Sequence, residues 1–366
     1  MEIEKKPKAL FITNYRFISK KTKNGGVKLC TQDFIKVLER KYDLVFLEVD
    51  FTKNLLQRLK FWVGVDSYDY YEVSKFKKSL FGQIKENNIR IIFINHTSAM
   101  KFAELAKKID SSLSTVLLSH GNESGDFMHE IVKSEKSRVT SYYKLGKQLV
   151  MEAKYRKNYI DQVAVVSQLE ENIEYWLHSK RVTYIPRIFE PEFVQWHPVL
   201  GKVGFLADFT HLPNLHGIEM LSKELNKRVL PNNFKLVLVG VSDNRLAPIV
   251  KGSSFLEHIG YVEEDELKKE VGSWMAYLNI VLYYSKGVST KLAKGMNMGL
   301  PIVTTPQGNR GYSLEGMEGV TAKNLNLFAD IVLALSQDKI QASHVREIVM
   351  SNVNANKSFD KFSEYF

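Results

Sequence analysis

The sequence predicts an α/β protein built from two doubly wound domains in tandem, and three observations carry that expectation. Short β-branched runs alternate with amphipathic stretches along nearly the whole chain, the pattern of βαβ units. The strand-like runs are close to continuously apolar, as in "IRIIFINH" (89–96) and "YLNIVLYY" (277–284), which marks parallel sheets covered on both faces. The alternation breaks once, at "RIFEPEFVQWHPVL" (187–200), where Pro191 and Pro198 interrupt it, and then restarts. That stretch reads as a linker. The 366 residues exceed one ordinary core, so two domains of about 150–200 residues are expected.

The elements follow in order. Strands are expected in the first half at 9–14, 43–49, 89–96, 114–120, 162–167 and 182–186, with helices over 27–40 and 101–110 among those between them. In the second half, strands are expected at 203–208, 235–240, 255–262, 277–284 and 301–305. Helices are expected near 214–228, 264–273, 289–298 and 325–337. The domains are therefore drawn as 1–190 and 200–350, with 351–366 a C-terminal helix returning to the first. In doubly wound sheets ligands gather outside the carboxyl ends of the strands, and the interdomain cleft is the natural site.

Composition narrows the class. Hydrophobic residues at 44% with 11% aromatics support packed cores rather than disorder. A single cysteine, Cys30, excludes an internal disulfide framework and fits a reducing compartment. The opening "MEIEKKPKALFITN" passes from charges directly into a strand-like run, and no apolar stretch reaches the about 18 residues of a spanning helix. A cytoplasmic location is the expectation. The net charge of +10 is unevenly placed: residues 1–190 hold 33 Lys and Arg against 23 Asp and Glu, while the remainder holds 18 of each. An anionic partner for the first half is one reading and a solvated basic surface the other.

The most informative stretch is "SKGVSTKLAKGMNMGLPIVTTP" (285–306). Ser289 or Thr290 can cap the helix that follows; Gly299 suits its end and Pro301 enforces the stop. A helix starting at the carboxyl edge of a parallel strand directs unpaired amides and a partial positive charge outward, which suits a phosphate. Lys286, Lys291 and Lys294 would add charge, with Lys291 and Lys294 one turn apart on one face. Taken alone, the same residues also describe an ordinary capped helix with solvated lysines. Gly25 and Gly26 can bring backbone amides to a diphosphate from the other domain, or simply form a turn. His96 and His120 end two strands at the same edge, and each could instead be a hydrogen-bonded structural residue. Glu123 and Asp126 follow in an expected loop and could orient an acceptor hydroxyl.

The segment "STKLAKGMNMGLPIVTTPQGNRG" resembles the nucleotide-sugar-binding segment of family-four, retaining glycosyltransferases of the GT-B fold. Gly287, Lys291, Met296, Gly299, Pro301, Thr305, Pro306, Gly308 and Gly311 fall in register with it. Upstream, "FLADFTHLPNLHGIEML" resembles the first strand and loop of that donor domain, with His211, Pro213 and Asn214 matching a His-x-Pro-Asn variant. "FKLVLVG", "HIGYV", "AVVSQLEENI", "VTYIP" and "NGGVKLCTQDFIKVLERKYDLVFLEV" extend the likeness over nearly the whole chain.

The resemblance implies transfer of a sugar from a UDP- or GDP-linked donor to an acceptor hydroxyl, with retention. No cofactor is implied, and no metal, since cations and helix dipoles can hold the leaving phosphate. Together with the charge around the turn, it gives donor binding to Gly25, Gly26, His211, Asn214, Lys286, Gly287, Ser289, Thr290, Lys291 and Lys294. It puts His120 near the donor sugar as the catalytic candidate, and Glu123, Asp126 and His96 near the acceptor. The sequence departs from the family at two places. Lys286 and Lys294 stand where two glutamates are usual, and "ADFTHLPN" replaces a usual arginine-lysine pair. The expectation is a remodelled, active donor site; the alternatives are a non-catalytic partner subunit of an active transferase and a sugar-nucleotide epimerase.

Residues 53–90 mix lysines with aromatics. Phe61, Trp62, Phe76 and Phe81 beside Arg58, Lys60, Lys75, Lys77 and Lys78 suit an interfacial segment at an anionic leaflet. With "YYKLGKQLVMEAKYRKNY" (142–159) also basic, peripheral attachment at the inner membrane face is expected, with a glycan or lipid-linked acceptor. A helix pair with core aromatics and solvated lysines is the other reading. Nucleic acid is not expected, because no recognition motif accompanies the charge.

Overall fold

A computed structural model of the chain describes residues 6–20, 26–51, 55–62, 71–133, 139–283, 287–312 and 314–355. Two compact units divide between Arg187 and Ile188. The first carries strands β1 (Lys8–Asn14), β2 (Asp43–Val49), β3 (Ile91–Asn95), β4 (Ser114–Leu118), β5 (Gln162–Val165) and β6 (Val182–Tyr184). These pair in parallel in the order β2-β1-β3-β4-β5-β6. The second carries β7 (Lys202–Leu206), β8 (Lys235–Val239), β9 (Leu256–Gly260), β10 (Ala276–Asn279) and β11 (Ile302–Thr304). They too are parallel, in the order β11-β10-β7-β8-β9. Each chain path runs outward on one side of its first strand and then returns to the other. The reversals fall between β1 and β3 and between β7 and β10, and such reversals are where doubly wound sheets open a crevice.

Each unit closes its own core. In the first, Leu10, Ile12, Ile92, Ile94, Leu117 and Val163 of the strands meet Phe102 and Ala103 of the Lys101–Ile109 helix. The aromatic residue Phe76 joins this core edge-on to Phe102, with centroids 5.7 Å apart. This partly buried ring thus packs on the core, which for Phe76 favours the second of the two readings of this segment. Among the described residues one ion pair is fully buried: the Arg156 guanidinium donates to both oxygens of Glu174, with Nη2 to Oε1 at 2.8 Å. Ser179 Oγ adds a hydrogen bond to the same carboxylate at 2.8 Å.

In the second unit, Phe205, Leu236, Leu238, Tyr277 and Leu278 pack against Met296, Phe328 and Val349 from the covering helices. The stretch 188–200 is not a free linker. Phe189 and Val194 are buried in this core. The amides of Glu192 and Val194 bond to Asn297 O and Met298 O at 2.7 and 3.0 Å, and those of His197 and Val199 bond to Gly272 O and Ser273 O. An extended strap therefore begins the second unit, twelve residues before the expected boundary at 200. At the other end, residues 351–355 complete the Lys339–Ala355 helix, whose Val349 and Val353 pack into the second core. The rest of the expected C-terminal helix lies outside the described residues.

Two further expectations change. Strand β10 stops at Asn279 instead of running to 284, because Val281 bonds to the Thr305 side chain rather than to a strand backbone: its carbonyl accepts from Thr305 Oγ1 at 2.6 Å. Residues 123–133, expected to start as a loop, form a helix, Glu123–Lys133. Asn122 begins it by accepting from Gly125 N at 2.8 Å, and Glu123 and Asp126 in its first turn suit the positive end.

Candidate functional site

In the second unit a polar cluster lies at the strand-order reversal. The Thr290–Asn297 helix follows β10, and Ser289 caps it by accepting from Leu292 N at 3.3 Å. Gly299 adopts φ 64°, and Leu300 N returns to Gly295 O at 3.2 Å, a Schellman-type ending. The cap is anchored from below. Ser289 Oγ donates to Asn279 Oδ1 at 3.2 Å, and Asn279 Nδ2 holds Thr304 Oγ1 and Gly308 O at 3.0 and 2.8 Å. Buried Gly287 enters the turn at φ 65°. Thr290 and Lys291 supply first-turn amides that no carbonyl of the same helix can reach.

Lys291 reaches across to the loop after β7. Its ammonium donates to Asn214 Oδ1 and lies 5.7 Å from the Phe205 ring centroid. Asn214 is buried in the Leu212–Leu225 helix and is itself fixed, with Nδ2 donating to Asp208 O at 2.6 Å. Asp208 in turn accepts from Thr210 N and Oγ1 at 2.9 and 2.6 Å. Desolvation, reinforced by the charge of Arg310, lowers the Lys291 pKa to about 7. Among the described residues no carboxylate pairs with this ammonium. Such a group suits an incoming anion, which would restore its charge.

The two lysines expected to share one face diverge. The Lys294 ammonium is 3.5 Å from Glu264 Oε2 and its side chain is substantially exposed. His211 is exposed at the start of the Leu212–Leu225 helix and its side chain makes no capping bond. Lys286 and Gly25 lie outside the described residues. Gly26 is the exposed first residue of the Gly26–Leu38 helix.

The first unit gathers its own polar cluster at the ends of β1, β3 and β4. Asn95 is the hub, with Nδ2 donating to Thr13 Oγ1 and Thr31 Oγ1 at 2.8 and 2.9 Å. Its Oδ1 can then only accept, so His120 Nε2, 2.7 Å away, is the N–H donor. That fixes Nδ1 of a neutral His120 as its acceptor nitrogen. His120 is buried, and its ring meets Phe34 edge-on.

His96 has the same Nε2–H tautomer, fixed from its other nitrogen. Ser98 N donates to its Nδ1 at 3.1 Å, so Nε2 carries the proton and meets Glu123 Oε1 at 2.8 Å. Its backbone sits at φ 80°, ψ 141°, a region that non-glycine residues occupy only when their surroundings impose it. The capping bond, Glu123 and the rings of Phe17 and His120 supply that constraint. The structure thus brings His96, His120 and Glu123 together. Asp126 lies one turn further along the helix, partly buried.

Three polar residues in these clusters were not singled out from the sequence. Asn95 lay next to the end of one expected strand and Asn279 inside another; the structure ends β3 and β10 on these two residues, which the apolar runs around them concealed. Arg310 lies within "TPQGNRG", between two motif glycines. No group of three or more His, Cys, Asp or Glu side chains able to hold a metal occurs among the described residues.

Comparison with known proteins agrees with this architecture. Residues 201–338, all within the second unit, match the family model described as Glycosyl transferases group 1. No curated protein sequence matches the chain. Among solved structures, Anabaena HepE in complex with UDP and glucose is similar, with TM-score 0.64, 13% identity and 98% of each chain covered. The apo lipopolysaccharide outer core galactosyltransferase WaaB gives TM-score 0.62 at 11% identity, covering 98% of this chain and 99% of that one. The N-terminal domain of Candida albicans trehalose-6-phosphate phosphatase gives 0.64 at 11% identity, with 98% of each covered. The chain has the GT-B fold, two parallel-sheet Rossmann-like units.

Proposed function

We propose that the protein is a glycosyltransferase that moves a sugar from a UDP- or GDP-linked donor to an acceptor hydroxyl, with retention and without a metal. The observation that carries this reading is the Lys291 ammonium. It is desolvated, has no carboxylate partner among the described residues, and is held by Asn214 beside a helix N-terminus at the strand-order reversal of the second unit. The group 1 family match over that unit and similar folds holding UDP and sugar support it. In this reading the acceptor oxygen bonds to the anomeric carbon as the bond from that carbon to the diphosphate oxygen breaks, and the acceptor's proton passes to the departing diphosphate oxygen. The negative charge that develops there is met by Lys291 and the first-turn amides of Thr290 and Lys291. Gly287 and Ser289 shape that turn, Lys286 precedes it in the sequence, and His211 is the N-cap residue of the helix that carries Asn214.

The first unit receives the acceptor. Glu123, oriented by His96, and the acceptor nitrogen of His120 suit hydroxyl groups, with Asp126 alongside, while the amides at Gly26 are offered to the donor diphosphate. The excess positive charge of residues 1–190 supports attachment to an anionic cytoplasmic leaflet and a lipid-linked or surface-glycan acceptor.

Release of UDP or GDP from a panel of nucleotide sugars tests the reaction. Wild type should release nucleotide from at least one donor, and Lys291→Met should lower that rate about 100-fold. Nucleotide binding without release from any donor would favour the non-catalytic partner subunit instead.

A further inference from the structure

The second sheet ends in three adjacent loops: after β11, after β10 and after β7. The β10 and β7 loops lead into the helices that carry Lys291 and Asn214, the first capped by Ser289. The loop after β11 has no assigned role, although it is fastened against the β10 loop at several points. Thr305 starts it: its Oγ1 accepts from Gly308 N at 3.0 Å and its carbonyl from Asn309 N at 2.8 Å. Beyond Arg310 the chain is fastened again. Gly311 sits at φ 83°, and a Cβ there would fall 2.1 Å from Val288 Cγ1, so only glycine lets the two loops approach this closely. Tyr312 then donates its hydroxyl to Ser289 O at 3.0 Å and stacks on Phe189, centroids 5.5 Å apart.

Arg310 therefore occupies the one position between two anchors, immediately beside the Gly287–Lys291 turn. One of its N–H groups fixes the side chain to Gln307 O at 3.0 Å. Its charge is felt at Lys291, where it opposes protonation. A fold that holds two cations close enough to repel each other is arranged for an anion to lie against both.

We propose that Arg310 is the second cation of the donor site and holds the diphosphate together with Lys291, standing in for the missing arginine-lysine pair after the first strand of this unit. The proposal rests on the donor reading above and adds to it a residue and a specificity. A planar guanidinium can grip two phosphate oxygens at once, so Arg310 makes the site discriminate a nucleoside diphosphate from a monophosphate. Lys294, drawn off to Glu264, does not share the task.

Calorimetric titration of wild type and Arg310→Gln with UDP, UMP, GDP and GMP tests this. Wild type should bind one diphosphate more tightly than its monophosphate. Arg310→Gln should lose about tenfold to a hundredfold in diphosphate affinity while its monophosphate affinity stays unchanged, so the margin collapses. A mere packing defect would weaken both ligands alike. Arg310→Met, which keeps the aliphatic stem, replaces Arg310→Gln if the latter melts below wild type. An unchanged margin in the variant, or equal losses for both ligands, overturns the role of Arg310 and leaves the donor reading standing. If wild type binds none of the four nucleotides, the donor reading fails and this proposal with it.

Discussion

The Lys291 ammonium has lost most of its water and feels the charge of Arg310, and together these hold its pKa near 7. An unfolded lysine titrates near 10.5, so between about pH 7 and 10.5 the folded chain binds fewer protons than the unfolded one. Stability contributed by this group therefore rises with pH across that window, and the penalty for burying its charge is fully present below 7. Lys291→Met should melt higher than wild type at pH 7, and the gap should narrow toward pH 10; a gap independent of pH would contradict the desolvated ammonium. A diphosphate reverses the preference, so UDP binding at pH 8 should take up a proton in wild type but not in Lys291→Met, as calorimetry in buffers of different ionisation enthalpy reads directly. Much of this was legible: a lysine four residues past a turn glycine, in a helix that Ser289 can cap, is visible in the sequence. The divergence of Lys294 was not, because it depends on Glu264 lying opposite, a tertiary fact. Nor was the strained backbone of His96, since nothing local demands a positive φ there.

At the scale of elements, continuous apolar runs and their spacing located each of the eleven strands among the described residues, and all but β10 end within a few residues of expectation. The failures share a cause: local signals that tertiary bonds override. "NIVLYY" reads as one long strand, but the Thr305 hydroxyl takes over the Val281 backbone and ends β10 early. "GNESGD" reads as a loop because glycine and serine dominate it, whereas Asn122 is a helix cap. Prolines at 191 and 198 suggested a linker where an extended strap packs. The Arg156–Glu174 pair was invisible for the reason that charged residues usually mark a surface. Glu174→Ala leaves a guanidinium buried without its carboxylate and should destabilise the first unit by about 3–5 kcal/mol. Denaturant unfolding followed through that unit's transition measures it, and a loss below 1 kcal/mol would mean water or another acceptor replaces Glu174.

Across the whole molecule, the excess positive charge resides in residues 1–190, and the Leu55–Trp62 helix adds an apolar side to it. Leu55, Leu56 and Leu59 are 70%, 62% and 50% exposed, with exposed Arg58 and Lys60 between and beside them. No helix among the described residues is long and apolar enough to cross a membrane. Anionic vesicles should sediment the protein at low salt and release it as salt rises, and replacing the three leucines by glutamine should weaken that binding. Equal binding to neutral vesicles, or none to either, would reject the anionic-leaflet reading. The most direct test of the donor site is crystallographic. In crystals grown with UDP or GDP, the diphosphate should lie against Lys291 and the first-turn amides after Ser289, within reach of Asn214. Well-defined nucleotide elsewhere on the protein would contradict the account.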